Sequence, residues 1–174
     1  RFPAALALLL LLVAGPARAD ATAAIALARG GMVAEALDAA EAEVASHPDD
    51  VESHELIIDI LMNLGLGYQA QDRYEAFAKA QGEAAWAWTL AGRAHTTARG
   101  ARNAYERALR ADPAYARAQA GLGDVERAEG AFAKAEQRYR AALAQDPAQP
   151  SVYAAMGGLM LGQDRTAEAL VVIQ

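Results

Sequence analysis

Residues 105–147 read YERALRADPAYARAQAGLGDVERAEGAFAKAEQRYRAALAQDP, and the stretch repeats itself. Tyr105, Ala108, Asp112 and Pro113 return as Tyr139, Ala142, Asp146 and Pro147, each 34 residues later. A fixed period of this length means that one supersecondary unit is copied along the chain, each copy covering an apolar face that its neighbour leaves open. Proline cannot continue a helix and restrains the residue before it, so each Asp-Pro step closes a unit. Composition agrees with helices. Of 174 residues, 47 are alanine and only 6% are aromatic. Alanine is the best helix former and lets helices approach closely, whereas bulky and β-branched side chains are too few for a thick sheet core. An all-α protein with thin, closely spaced layers follows.

The series Leu122-Gly123, Ala135, Tyr139, Ala142 and Pro147 resembles the tetratricopeptide repeat, a helix–turn–helix unit of the same period. In that family's frame, residues 116–149 place Leu122 and Gly123 at positions 7 and 8, Ala135 at 20, Tyr139 at 24, Ala142 at 27 and Pro147 at 32. Gln119 and Glu126 depart from the aromatic positions 4 and 11. Extending the frame gives units of about 20–50, 51–84, 85–115, 116–149 and 150–174. The third reaches Ala101, Tyr105 and Pro113 three residues early, which predicts a shortened turn near Thr96–Gly100. The resemblance implies a right-handed α-solenoid of antiparallel helix pairs. Small residues at positions 8 and 20 let the two helices of a pair touch, and larger ones fill the space around them. Helices are expected at about 20–30, 33–46, 51–64, 67–80, 84–97, 100–111, 115–128, 131–145, 150–162 and 165–174. The sequence closes on Leu170-Val171-Val172-Ile173-Gln174, inside a second helix and without a polar cap, so further chain is expected to follow.

Before the first unit, Arg1-Phe2-Pro3 leads into an apolar run from Ala4 to Ala14, followed by Gly15-Pro16-Ala17-Arg18-Ala19. A positive start, a short apolar run and a small-x-small site make a secretory signal peptide over residues 1–19, with a signal-peptide helix and cleavage after Ala19. The run is too short to span a bilayer, which needs roughly 17–25 apolar residues. The mature protein is therefore expected to be periplasmic or secreted, with no membrane span.

Cysteine is absent, which excludes a disulfide scaffold, a cysteine nucleophile and a cysteine-ligated metal. The net charge of −6 argues against a nucleic-acid surface, which needs clustered Lys and Arg. Residues 20–84 carry 13 acids and 3 bases, residues 85–174 carry 9 acids and 11 bases. That asymmetry fits either a polar partner or a merely solvated face.

Motifs for chemistry are weak. Gly65-Leu66-Gly67-Tyr68-Gln69-Ala70 fits G-x-G-x-x-A, yet Gly65 and Ala70 also fall where the repeat wants its turn and its small residue, and no βαβ unit follows. His54-Glu55 begins like a zinc-protease helix, but Ile58 stands where the second histidine is required. His47, Asp49, Asp50 and His54 could surround a metal, or else end one helix, open the next and pack. His95 reads as a packing residue, and no serine has a nucleophile-elbow context. The protein is not expected to be an enzyme, nor to hold a cofactor or a metal.

What remains is a surface. By resemblance, the first helix of each pair lines a concave groove through positions 2, 5, 9 and 12 or 13. Those positions hold Glu52, Glu55, Asp59 and Asn63 in the second unit, and Trp86, Thr89, Arg93 and Thr97 in the third. In the fourth they hold Arg117, Ala120, Asp124 and Arg127. Trp86 with Arg93 and Arg117 is the candidate hot spot, unless Trp86 and Trp88 both simply pack between units. A segment crossing the groove would meet acids first and a basic, aromatic stretch second. The Lys/Asn pattern by which chaperone-binding members grip a terminal carboxylate is missing from these positions. The expected function is a non-catalytic scaffold that binds a protein or peptide segment. The alternative is a docking module of a larger envelope enzyme or of a secretion or polysaccharide-export component whose working domain lies beyond Gln174.

Overall fold

The computed structural model describes residues 21–173, so the expected signal peptide, its helix and its cleavage site lie outside the described residues. Ten helices follow one another among them: α1 (Ala21–Arg29), α2 (Val33–Ser46), α3 (Val51–Asn63), α4 (Gly67–Ala80), α5 (Ala85–Ala94), α6 (Ala98–Ala111), α7 (Ala116–Ala128), α8 (Phe132–Gln145), α9 (Pro150–Leu161) and α10 (Thr166–Ile173). No strand occurs among the described residues, and none of their helices is long and apolar enough to cross a membrane. The chain divides into two compact units, Arg1–Ile60 and Leu61–Gln174, with the boundary in the last turn of α3.

In the first unit α1 packs on α2, and alanine makes the close contact: Ala24, Ala36 and Ala40 are fully buried. Asp50 opens α3 by accepting a hydrogen bond from the Ser53 amide at 3.1 Å, which satisfies one donor of the first turn. In the second unit each helix packs on the next from α4 to α10, an all-α solenoid. Buried Tyr74, Tyr105 and Tyr139 recur at one place in successive pairs, with Ala70, Ala101, Ala135 and Ala169 at another. The ring of Tyr139 lies where Gly123 lacks a side chain; a Cβ there would stand 2.6 Å from its Cε1. Tyr105 sits in the same way against Gly92 and also against Gly121 of the next pair.

The turns show the period most directly. Gly31, Gly65, Gly130 and Asp164 are the four mid-pair residues with left-handed backbone, at φ +79°, +75°, +77° and +58°. Each is followed by an amide that reaches back five residues: Met32 to Leu27, Leu66 to Leu61, Ala131 to Glu126 and Arg165 to Met160, at 2.8–3.0 Å. This is the Schellman closure, which glycine favours because it has no Cβ to clash. The pair α5–α6 departs from it. Its first helix ends at Ala94 rather than near residue 97, and its second begins at Ala98 rather than 100. Thr97 is therefore a cap, its hydroxyl accepting from the Gly100 amide at 3.2 Å, and it leaves the groove set. Between pairs, Asp112 and Asp146 each fold back onto an amide two residues on, Ala114 and Ala148, at 2.9 Å.

Candidate interaction surface

Within residues 61–174 the first helices of successive pairs touch, α5 on α7 and α7 on α9, whereas α6 and α8, or α8 and α10, do not. The first helices thus line the inner side of this unit. On that side Arg93, Asp124 and Arg127 are exposed, and Trp86, Arg117 and Ala120 are half-buried. The Trp86 ring meets Phe77 edge-on, with centroids 5.5 Å apart, so it is partly packing and partly surface. Thr89 must be corrected: it is 5% exposed, and its hydroxyl already donates to the Ala85 carbonyl at 2.9 Å, so it is buried away from the groove surface. Trp88 is core. Its indole N–H donates to the Gly82 carbonyl at 2.8 Å, and the Arg107 guanidinium lies 3.7 Å above its ring. On α3, Glu52 is exposed and Glu55 and Asp59 are half-buried, all three in the first unit; exposed Asn63 belongs to the second.

Asp124 and Arg127 are held in place from below. The hydroxyl of Tyr139 donates to Asp124 Oδ1 at 2.8 Å and accepts from Arg127 Nε at 3.2 Å. Burial, followed by the Asp124 carboxylate, pushes the phenol's ionisation well up, so it remains a neutral donor. A core tyrosine thereby fixes two surface side chains. Beside them, a depression of about 370 Å³ is lined by Arg127, Phe132, Ala154, Gly158 and Leu159 among others. On α9 the exposed residues Ser151, Ala154, Gly158 and Leu161 continue the same register. Carrying the frame one unit further would have found them.

Residues 98–150 match the tetratricopeptide repeat family. Over that stretch the chain is similar to the tetratricopeptide repeat. No curated protein matches it. Among solved structures, it is similar to a thermophilic tetratricopeptide repeat protein of Thermus thermophilus, at 22% identity and a TM-score of 0.69 over 90% of this chain and 88% of that one. It is also similar to MamA of Desulfovibrio magneticus RS-1, at 21% identity and a TM-score of 0.55 over 90% and 93% of the two chains. A tetratricopeptide repeat protein of Parabacteroides merdae ATCC 43184 is 17% identical, with a TM-score of 0.59 over 87% of this chain and 60% of that one. At these identities the likeness is one of fold.

The two departures from the repeat pattern explain each other. Glu126, 4% exposed, lies 3.6 Å from Arg138 and 3.7 Å from Arg102, while Arg138 donates to Gln119 Oε1 at 3.0 Å. A polar network across α6, α7 and α8 thus occupies these two positions. Two polar substitutions in one unit were the available signal for it. Glu136 is buried likewise and takes a bidentate grip from Arg165 at 2.7 and 3.1 Å, with Arg140 also beside it. Those hydrogen bonds hold its carboxyl below the ordinary range. The three histidines each meet a neighbouring group: buried His54 places Nε2 3.0 Å from the Pro48 carbonyl, His95 Nε2 lies 3.3 Å from Glu75, and His47 Nδ1 lies 2.6 Å from Glu43. Gly65, of the weak dinucleotide motif, forms the α3–α4 turn.

Proposed function

We propose that this chain is a non-catalytic scaffold that binds a segment of another protein along the inner face of α5, α7 and α9. The observation that carries the reading is the exposure of Arg93, Asp124 and Arg127 on helices whose other faces are closed by packing. Trp86 and Arg117 flank them; Glu52, Glu55 and Asp59 form a further candidate face in the first unit, and Asn63 is a separate candidate in the second. Charged side chains of this kind steer and orient a partner, while partly buried Trp and Arg supply most of the energy. The repeat fold suits the task because each unit adds one strip of surface to a continuous face.

The chain works outside the cytoplasm on this reading, as a periplasmic or secreted protein released by cleavage after Ala19. Ala19→Arg in the precursor should block processing, and exported protein that begins at Arg1 or Phe2 would contradict it. For binding, a photo-crosslinking residue is placed at Arg93 or Arg117 and, as control, at exposed Arg99 on α6. Adducts in cell envelopes should form at the first two positions and not at the third. Equal adducts at all three would refute the groove.

A further inference from the structure

We propose that the depression over Gly158 is an anchor subsite for an aromatic side chain of the bound segment, seated against Phe132 with the Arg127 guanidinium over its ring. The inference rests on the groove reading and names what that groove selects. Three observations support it. Gly158 stands inside α9 and is exposed, and a Cβ added there would meet nothing within 4 Å. Glycine is the least favourable helix residue but proline, and here no neighbouring side chain requires it. Its neighbour Gly157 is buried, so packing accounts for one glycine of the pair and not for the other. What a side chain at 158 would occupy is the depression itself.

The second observation is the wall. Phe132 remains 43% exposed, and with Ala154 and Leu159 it makes one side apolar. The third is the state of Arg127. Its Nε is tied to Tyr139, and its Nη2 lies 3.6 Å from Asp124 Oδ1. Asp124 offsets the positive charge, so a carboxylate ligand would gain little and would face Asp124 as well. The flat face of the guanidinium stays available, and it is weakly hydrated and stacks on aromatic rings. The chain already uses this pairing, with Arg107 over Trp88 and Arg73 over Tyr74. Tyr139 is then a positioning residue for the subsite.

The probe is a random twelve-residue peptide library on phage, panned against the whole chain, with enriched peptides synthesised and titrated. Enriched peptides should share an aromatic residue. Gly158→Leu should fold, with a helical melt at or above that of the parent, and should weaken these peptides about tenfold or more. Changing the peptide's aromatic residue to alanine should cost the parent the same factor and cost Gly158→Leu nothing further. Gly158→Ala provides a milder block should the leucine disturb α9. Enriched peptides without an aromatic residue, carboxylate-rich ones included, overturn the subsite, and so do aromatic peptides that bind Gly158→Leu unchanged. If Arg93→Ala or Arg117→Ala weakens such peptides, only the subsite falls and the groove stands. If neither variant does, or if nothing is enriched, both fall.

Discussion

Replacing Gly123 and Gly158 by alanine, one at a time, separates packing from propensity within one fold. Both glycines are helical, so on propensity alone each change should stabilise by about 0.5–1 kcal/mol. At Gly158 nothing opposes the gain, because the new methyl meets open space. At Gly123 the methyl would stand 2.6 Å from Tyr139 Cε1 and 2.8 Å from Cδ1, well inside contact distance. The ring cannot swing aside: it is fully buried, and Asp124 and Arg127 hold its hydroxyl. The helices α7 and α8 must therefore separate, and overpacking of that kind costs about 1–3 kcal/mol. Set against the propensity gain, the net loss is about 0–2.5 kcal/mol. For a chain of this size that is a fall in Tm of up to roughly 10 °C, while Gly158→Ala should rise by about 1–4 °C. Melts followed by circular dichroism at 222 nm read both. A Gly123→Ala protein that melts at or above the parent would refute the claim that Gly123 is there to admit the tyrosine ring.

Three further outcomes are expected. Ala135 is fully buried between helices and Lys134 is exposed, so Ala135→Leu should lower Tm clearly while Lys134→Leu changes it little; equal shifts would mean that the helical register is wrong. Asp164 holds the left-handed turn position occupied elsewhere by Gly31, Gly65 and Gly130, so Asp164→Gly should stabilise by about 0.5 kcal/mol in urea unfolding, after the glycine's greater freedom in the unfolded chain is set against the relief of strain, and Gly130→Asp should destabilise. Glu136 ionises below its ordinary value because Arg165 donates to it, so its contribution is complete above the unfolded pKa and disappears as pH falls through the folded one; between about pH 5 and pH 3 the parent should lose more stability than Glu136→Gln.

The period of 34 was enough to place the helices, because everything that sets it acts over short range. Asp112-Pro113 and Asp146-Pro147 stop helices through their own backbone chemistry, and Gly31, Gly65 and Gly130 take the left-handed turn whatever lies beyond them. The exception was the short third pair. There the missing residues could come from either side of the turn, and only the hydrogen bond from the Gly100 amide to Thr97 put the helix start at Ala98. The places of Tyr74, Tyr105 and Tyr139 in the core were legible for the same periodic reason.

Which inner-face residues meet solvent was a matter for the tertiary structure alone. Thr89 and Arg93 share a helical face, yet Thr89 is closed off, because α5 is buried on nearly every side, from Ala87 to Gly92. The phenol of Tyr139 reaching Asp124 and Arg127, and Glu126 held between Arg102 and Arg138, join residues 12 to 24 positions apart. A repeat pattern records what each unit has in common. These contacts depend on how one unit differs from the next, and so on side chains that meet only when the units are stacked.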